Sequence, residues 1–320
     1  MVPRDAIAKQ LAFTLGAIDV PGLGGKYEGK VRDCYTVGDR RVLIASDRLS
    51  AFDVVLTTIP FKGRMLTELA AYWFEQTSHI IRNHVLEYPH PNVVITREVE
   101  IIPVEVIVRN YLAGSAWRDY EAGRAISGIE LPKGMKKAQQ LDSPLITPST
   151  KAAKGSHDTP ISSDEVVSSG LVEKSLWEEV CAAALQLFTF GSKKAAERGL
   201  LLVDTKFEFG VLRSGTGRAE LLLADEVLTQ DSSRYWIADS YQERFDAGED
   251  PLMLDKEFVR RWLIERGYMG DGTPPTIPDD FRVDVSLRYM DAYEKITGST
   301  FTSEIGSPAA AIAEVLKEVR

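Results

Sequence analysis

The stretch GGKYEGKVRDCY, residues 24–35, decides which class of fold the sequence can adopt. Its first seven residues spell G-x-x-x-x-G-K, the start of a phosphate-binding P-loop, but Val31 stands where that motif needs a Ser or Thr hydroxyl for magnesium. A P-loop also opens a helix, whereas residues 31–46 (VRDCYTVGDRRVLIAS) alternate like two strands around a turn at residues 37–40. We therefore predict a β-hairpin that presents Gly29, Lys30 and Arg32, and not a P-loop domain.

The composition is ordinary for a globular protein and narrows the choice of ligand. The chain has 320 residues, 44% of them hydrophobic, and a formal net charge of −9, so it fits one large or two medium domains. The negative charge argues against nucleic acid, and any phosphate would be bound by small groups of Lys, Arg and backbone amides.

The same composition bears on compartment and metal. No apolar run reaches the roughly 20 residues of a membrane span, and MVPRDAIAKQ, residues 1–10, lacks the apolar centre of a signal peptide. Because Cys34 and Cys181 are the only cysteines and the four histidines are not clustered, we expect a reducing, cytoplasmic setting and no zinc site.

The order of strand and helix patterns predicts a two-lobed α+β fold. Residues 1–105 are expected to form a β-rich N-terminal lobe with the glycine hairpin, and residues 106–320 a larger mixed α/β body with C-terminal helices. An amphipathic helix is predicted over residues 175–198, and the Pro-, Ser- and Lys-rich residues 131–163 should form a long functional loop. Two lobes suggest a cleft between them.

Two carboxylates end successive strand candidates, Glu208 in LLLVDTKFEFG (200–210) and Asp225 in LLLADE (221–226). Carboxylates on adjacent strands suit magnesium, which prefers one or two of them plus substrate phosphates. The alternative is that both are solvated charges at strand ends. Lys206 favours the metal site, because a Lys framed by Asp204 and Glu208 on one strand face would be costly to bury without a charged ligand.

Two turns in the N-terminal third suit an anion. PFKGRM (60–65) places Lys62 just before a predicted helix, although helix-flanking cations are often merely solvated. SDRLSAFD (46–53) contains Ser50 and Asp53 in a charged, small-residue loop, for which a helix N-cap is the alternative.

Two further turns follow strand candidates later in the chain. Arg109 follows an apolar strand and precedes Ser115, and the alternative for Arg109 is a surface salt bridge. Asp231, Ser233 and Arg234 lie together in TQDSSRYW (229–236), where Ser and Arg suit a phosphate and an Asp-capped loop is the alternative. Together these turns indicate a phosphorylated ligand.

Taken in order, these segments resemble one protein family. The motifs YEGKVRDCY, SDRLSAFD, PFKGRM, PVEVIVRNYLAGS, LLVDTKFEFG, LADE and DSSRYW are similar to those of the SAICAR synthetase family, in its longer form. The resemblance implies an ATP-dependent ligase that joins L-aspartate to the carboxylate of carboxyaminoimidazole ribonucleotide (CAIR), giving SAICAR, ADP and phosphate. It also implies a kinase-like, ATP-grasp-related fold with ATP between the lobes, and Mg²⁺ as the metal.

The resemblance also implies roles for individual residues. Those expected to bind ATP are Gly29, Lys30, Arg32, Glu105 and Lys151. Those expected to bind CAIR or aspartate are Ser50, Asp53, Lys62, Arg109, Ser115, His157, Asp158, Ser233 and Arg234. Lys206, Arg109 and Asp231 are the expected catalytic residues, and Glu208 and Asp225 the expected Mg²⁺ ligands. Arg32 departs from the shorter form of the family, in which a Lys is common at this position, and its reach to a phosphate differs.

The expected partners are therefore the small molecules ATP, CAIR and L-aspartate, with no nucleic acid or membrane, in a monomer or small homo-oligomer. Two other classes stay open at this stage. A kinase would explain two lobes and a glycine hairpin, but the sequence has no H-R-D-x-x-x-x-N and no D-F-G. A non-catalytic nucleotide-binding module would leave Glu208 and Asp225 unexplained.

Overall fold

The chain folds into two compact units. The structure, a computed structural model, describes residues 1–151, 158–213, 219–254 and 257–319. The first unit comprises Met1–Tyr72, His84–Glu98 and Leu254–Arg320, and the second Trp73–Asn83 and Val99–Met253. Both contain helices and antiparallel strands, which confirms the predicted α+β class.

The helices include the predicted amphipathic segment and the predicted C-terminal helices, together with others. In the described ranges they are α1 (Arg4–Gln10), α2 (Lys62–Thr77), α3 (Gly114–Glu121), α4 (Ser163–Ser168), α5 (Lys174–Ala196), α6 (Ala238–Asp246), α7 (Glu257–Ile264), α8 (Asp279–Thr297) and α9 (Ala309–Val315). The predicted helix at residues 175–198 is confirmed as α5, whereas α2 begins at Lys62, inside PFKGRM, and not after that residue. Among the described residues, no helix combines the length and the apolar character needed to cross a membrane.

The strands are short except for one. They are β1 (Gly25–Glu28), β2 (Arg32–Val37), β3 (Arg40–Ala45), β4 (Arg48–Ala51), β5 (Val54–Thr58), β6 (Val85–His90), β7 (Val93–Arg97), β8 (Glu100–Ile101), β9 (Val104–Tyr111), β10 (Gln140–Ile146), β11 (Ser149–Thr150), β12 (Thr159–Pro160), β13 (Leu200–Leu212), β14 (Glu220–Ala224) and β15 (Ser233–Ile237).

The first unit is built on an antiparallel sheet in the order β1-β2-β3-β7-β6. Residues 24–35 form the first hairpin of this sheet, so the predicted β-hairpin is confirmed. Val42, Ile44 and Ile95 alternate along β3 and β7 and bury one face against Ile312 of α9. The separate β4–β5 hairpin adds Leu49 to a second core with α2 and α8.

The second unit is organised around β13. This 13-residue strand pairs with β9, β8, β14 and β15, all antiparallel, and β11, β12 and β10 extend the sheet through β9. Its burial is nearly continuous, as expected for a strand covered on both faces, and α5 packs against it. Because Lys206 and Glu208 lie on this strand, the sheet holds both of them among buried neighbours.

Two features differ from the sequence-based expectation. The composition of residues 131–163 predicts a loop, yet this segment contains β10, β11 and β12. Pro144 and several Ser and Thr residues hide these strands; β9 pairs with β10 and β11, and β11 pairs with β12. The C-terminal segment Leu254–Arg320 groups with the N-terminal strands, whereas the division at residue 105 places it in the second lobe. That domain boundary stays a prediction.

The glycine of PFKGRM is required by packing. A Cβ on Gly63, in the first turn of α2, would lie 2.4 Å from the Ala45 carbonyl oxygen and 2.8 Å from that of Ser46. We expect Gly63→Ala to lower the free energy of unfolding by about 1–3 kcal/mol, because backbone must move to relieve the overlap. Urea denaturation measures the change. Gly25→Ala is the control, since a Cβ there meets nothing within 4 Å, and equal effects in the two variants would contradict the prediction.

Candidate functional site

Three groups of residues contain most of the predicted site residues. We define the hairpin cluster as Gly29, Lys30, Arg32, Ser50 and Asp53, all in the first unit. The acid–lysine cluster is Glu105, Lys151, Lys206, Glu208 and Asp225, and the arginine cluster is Arg109, Ser115, Asp204, Ser233 and Arg234, all in the second unit.

The hairpin cluster is formed by two turns. Residues 29–31 connect β1 to β2, and the Gly29 amide donates to the Arg32 carbonyl oxygen at 2.8 Å. The β4–β5 turn places Asp53 at φ 63°, a left-handed conformation that Asp tolerates better than most residues, and its carboxylate accepts a hydrogen bond from Lys30 Nζ. The structure thus brings together two residues separated by 23 positions.

The Lys30–Asp53 pair is positioned at the surface. The two side chains are 58% and 51% exposed, and exposed ion pairs contribute about 0–1 kcal/mol to stability. Because the pair is weak, a more highly charged anion can displace Asp53 from Lys30. Lys30 is therefore accessible to a phosphate group.

The acid–lysine cluster lies where β9 and β13 run side by side, with Lys206 opposite Ile107 in the register. Lys206 Nζ donates to Glu105 Oε1 at 2.6 Å and to Glu208 Oε1 at 2.9 Å. The second oxygen of Glu208 accepts a hydrogen bond from Lys151 Nζ. Glu208 lies opposite Ala224, so Asp225 follows directly at the end of the neighbouring strand.

The electrostatics of this cluster keep Lys206 protonated. Burial alone would lower the pKa of Lys206, but the carboxylates of Glu208, Glu105 and Asp225 outweigh that effect and raise it well above the ordinary value. Burial raises the pKa of Glu105, and Lys206 partly opposes this. Lys206 is therefore a fixed positive charge between carboxylates and not a general base.

The donor set of this cluster fits magnesium. Glu208 lies within β13 and not at its end as expected, whereas Asp225 directly follows β14, and both offer hard carboxylate oxygens. The described residues contain no group of three or more His, Cys, Asp or Glu side chains that could hold a metal. Two carboxylates that leave the remaining positions to phosphate oxygens and water match the preference of Mg²⁺, whereas a structural zinc site needs a fuller protein shell.

The arginine cluster is centred on Asp204. Its Oδ2 accepts from Arg109 Nη1 at 3.0 Å and from Arg234 Nη1 at 2.6 Å. Arg109 also donates to Thr147 Oγ1 at 2.9 Å and to Ser115 Oγ at 3.1 Å. Two guanidinium groups are thus held side by side by one buried carboxylate, an arrangement suited to a phosphate dianion.

The backbone around Ser115 leaves room for Arg234. Gly114 has φ 58°, and a Cβ there would lie 2.7 Å from Arg234 Nη2. Burial lowers the pKa of Arg109, and the neighbouring Asp204 opposes this, so the guanidinium stays charged. Ser233 is buried and shares a hydrogen bond of 2.7 Å with Thr205.

The remaining predicted residues lie outside the three clusters. Asp231 is half-buried in the turn before β15, and the neighbouring Ser232 carbonyl accepts from the Lys206 amide at 2.9 Å. Asp158 is exposed, and its charge helps to raise the pKa of Glu105. Lys62 is fully buried, with Nζ 5.5 Å from the centre of the Tyr289 ring, so this position adds no support for a substrate role. His157 lies outside the described residues.

A cavity in the first unit is distinct from these clusters. It has a volume of about 660 Å³ and is lined by residues that include Asp47, Arg64, His90 and Asn92. None of the described residues predicted to bind substrate, ATP or metal is among those that line it. Its size alone therefore does not identify it as the site.

Sequence reasoning missed several partners of the predicted residues. Asp204 is expected from the strand period to frame Lys206, but it binds Arg109 and Arg234, while Glu105 takes the expected place beside Lys206. The sequence did contain a signal for the pairing of Asp204 with a cation, because an acid in the apolar run LLLVD must be paired when it is buried. Thr147, which accepts from Arg109, lies in the segment interpreted as a loop and gave no signal.

The fold is an antiparallel α+β fold, and its site clusters pair Lys and Arg side chains with carboxylates. These features are suited to a protein that binds phosphorylated small molecules. The family model described as SAICAR synthetase matches residues 25–275. The chain therefore belongs to the SAICAR synthetase family, and the expected resemblance is confirmed.

Individual relatives agree with this assignment. The phosphoribosylaminoimidazole-succinocarboxamide synthase of Legionella pneumophila (strain Lens) is 44% identical over 297 residues, which are 91% of this chain and 93% of the relative. The solved structure of SAICAR synthase from Saccharomyces cerevisiae with SAICAR is 32% identical, with a TM-score of 0.79 over 91% of this chain and 100% of that one. A SAICAR synthetase (Type-2) structure with ADP shares the fold, with a TM-score of 0.65 at 23% identity over 87% of this chain and 100% of that one.

Proposed function

We propose that this protein is an ATP-dependent ligase of purine biosynthesis that joins L-aspartate to the carboxylate of CAIR, giving SAICAR, ADP and phosphate. The observation that carries the proposal is the acid–lysine cluster in a chain that matches the SAICAR synthetase family over residues 25–275. The relative from Legionella pneumophila bears the name of this activity. SAICAR is bound in the yeast structure, and ADP in the Type-2 structure.

The chemistry explains why fixed charges are needed. A carboxylate is a poor electrophile, because it is anionic and its leaving group would be oxide. Transfer of the γ-phosphoryl group of ATP to a carboxylate oxygen of CAIR breaks the bond to the β-phosphate and forms an acyl phosphate. The aspartate amine then attacks the acyl carbon, loses a proton and displaces phosphate. Phosphoryl transfer depends on positioning and charge neutralisation more than on a covalent nucleophile.

In the first unit, we assign Gly29, Lys30 and Arg32 to the ATP phosphates. The half-buried turn with its exposed Lys30, the close backbone approach that glycine allows and the weak Lys30–Asp53 pair support this role. Ser50 and Asp53 are assigned to CAIR or aspartate, because both belong to the β4–β5 hairpin whose turn contacts Lys30 through Asp53.

In the second unit, we assign Arg109, Ser115, Ser233 and Arg234 to the 5′-phosphate of CAIR. The two guanidinium groups on Asp204 support this assignment. Asp231 and Asp158 are assigned to catalysis and to the substrates on family resemblance alone. Lys62 and His157 keep substrate roles only as predictions from the sequence.

The acid–lysine cluster is assigned to ATP and Mg²⁺. Glu208 and Asp225 would hold the metal, which when bound supplies positive charge to the phosphate oxygens. Lys206 keeps its proton and neutralises charge beside them, and Lys151, which is 41% exposed and directly follows β11, contacts the Glu208 carboxylate. Glu105 fixes Lys206 by accepting its second hydrogen bond.

We also propose that the fold is related to kinase-like and ATP-grasp ATP binders. Two features support this: a glycine-bearing antiparallel hairpin that is not a P-loop, and Glu208 directly before Phe209 and Gly210, like the metal-binding Asp of D-F-G. The second feature is an analogy. A reducing, cytoplasmic setting and a monomeric or small oligomeric state remain predictions from the sequence.

The test is ADP release by the purified protein with Mg-ATP, CAIR and L-aspartate, and with each omitted in turn. We expect ADP only with the complete set, together with equal amounts of SAICAR. ADP at the full rate without CAIR or without aspartate would rule out the ligase and favour a kinase or an ATPase. Binding of ATP with no ADP release under any condition would favour a non-catalytic module.

A further inference from the structure

The carbonyl groups of the turn at residues 29–31 are held from one side by a neighbouring segment. Arg48 Nε donates to the Lys30 carbonyl at 2.9 Å, and Arg48 Nη2 donates to the Gly29 carbonyl at 3.0 Å. The next carbonyl, that of Val31, accepts from the Ser46 amide at 3.0 Å and from Ser46 Oγ at 2.8 Å. Three successive carbonyls of the turn are therefore fixed by Ser46 and Arg48.

This anchoring sets the direction of the amide groups. A planar trans peptide points its N–H opposite to its C=O. Because the Gly29 and Lys30 carbonyls face the Arg48 guanidinium, the amides of Lys30 and Val31 point away from it. Successive amides on one side of a turn form a concave anion-binding surface, so the contacts made by Arg48 orient the side of the turn that a phosphate would meet.

The geometry requires an arginine. The Arg48 side chain is 7% exposed and its counter-charge is Asp33, 1% exposed, at 2.8 Å. Its Nη1 donates to the Gly16 carbonyl at 2.6 Å, so all three nitrogens of the planar fork are used. A lysine would preserve the charge beside Asp33 but could not span these acceptors from one point.

We propose that Arg48 is a positioning residue for ATP, which acts by holding the turn at residues 29–31 with its amides and Lys30 directed toward the phosphates. The inference rests on the proposed function, because it takes this turn to bind ATP phosphates. The same β4–β5 hairpin supplies Asp53, which contacts Lys30. The segment SDRLSAFD (46–53) thus holds both the backbone of this turn, through Arg48, and the Lys30 side chain, through Asp53.

The test compares Arg48→Lys with Arg41→Lys. Arg41 lies on β3, in the sheet that also contains β1 and β2, and pairs with Glu98 at 2.5 Å, away from the turn. We expect Arg48→Lys to raise the Kd for Mg-ATP about tenfold, which corresponds to the loss of one charge-assisted hydrogen bond. The KM values for CAIR and aspartate should change less than twofold, and amide hydrogen exchange should accelerate at residues 29–32. Arg41→Lys should change none of these.

Ser46→Ala provides a second variant in case Arg48→Lys does not fold. It removes the 2.8 Å hydroxyl bond to the Val31 carbonyl and should weaken ATP binding in the same direction, by about threefold. An unchanged ATP Kd in folded Arg48→Lys, or in Ser46→Ala if the first is unfolded, overturns the proposal. Equal increases for all three substrates overturn it as well. Because Kd and exchange are measured without turnover, a wild-type protein that binds ATP but makes no SAICAR refutes the ligase function and leaves this inference testable.

Discussion

We expect Glu208→Gln to lower kcat about 10²–10³-fold, the range for removal of one group that stabilises developing charge at an active site. Glu208 is 6% exposed and contacts both Lys206 and Lys151. Gln keeps the shape but removes the charge that would hold Mg²⁺ and balance the two lysines. Steady-state ADP release at saturating substrates measures the effect, and a Mg²⁺ titration should show a higher requirement in the variant.

The control is Glu220→Gln on the neighbouring strand β14. Glu220 pairs with Arg82 at 2.6 Å and its side chain is 36% exposed, so the same chemical change should leave kcat within about twofold, as for a surface site. Asp225→Asn should act in the same direction as Glu208→Gln. The assignment of Glu208 to catalysis is wrong if its variant loses activity only in proportion to a loss of folded protein, measured by circular dichroism at the assay temperature.

We expect Asp204→Asn to lower the free energy of unfolding by about 3–5 kcal/mol, the cost of removing one partner from a buried ion pair. Asp204 is 7% exposed, and its carboxylate is the acceptor shared by Arg109 and Arg234. In the variant the two guanidinium groups would lose the carboxylate that they share. Urea denaturation of both proteins measures the difference.

A second measurement, with added inorganic phosphate, tests whether the arginine cluster held by Asp204 also binds a phosphate group. If the arginine cluster binds the 5′-phosphate of CAIR, an added anion should replace part of the missing charge. Inorganic phosphate should then raise the melting temperature of Asp204→Asn more than that of the wild type. Asp142→Asn on β10 is the control, because Asp142 is an exposed acid on the same sheet. A stability loss that phosphate does not reduce would make Asp204 purely structural and contradict the assignment of the arginines.

The local elements were predictable because their signals are local. The hairpin at residues 24–35 follows from the alternation of residues and from Val31, and in the structure β1 pairs with β2 there. The helix α5 follows from its apolar periodicity. Strands β10 and β11 were missed because they pair with β9, about 30 to 45 residues earlier in the chain, and β12 was missed because it pairs with β11.

The predicted site residues came from motifs, and the structure adds their partners. Lys30 Nζ donates a hydrogen bond to Asp53, and Lys206 Nζ donates one to Glu105, which lies 101 positions away in the sequence. The family resemblance pointed to Glu105 without indicating that its side chain would bond to Lys206. Arg48, which no motif argument selected, holds the turn that contains Lys30.

The sequence by itself determined the α+β class, the glycine hairpin in place of a P-loop, and the family. It could do so because propensity, periodicity and motif spacing are properties of neighbouring residues. Only the tertiary structure decided which charge meets which: that Asp204 binds two arginines and not Lys206, that Lys62 is buried, and that Arg48 anchors the turn at residues 29–31. The physical reason is that a buried charge takes the partner that chain packing brings within hydrogen-bond distance, and that distance does not depend on separation along the sequence.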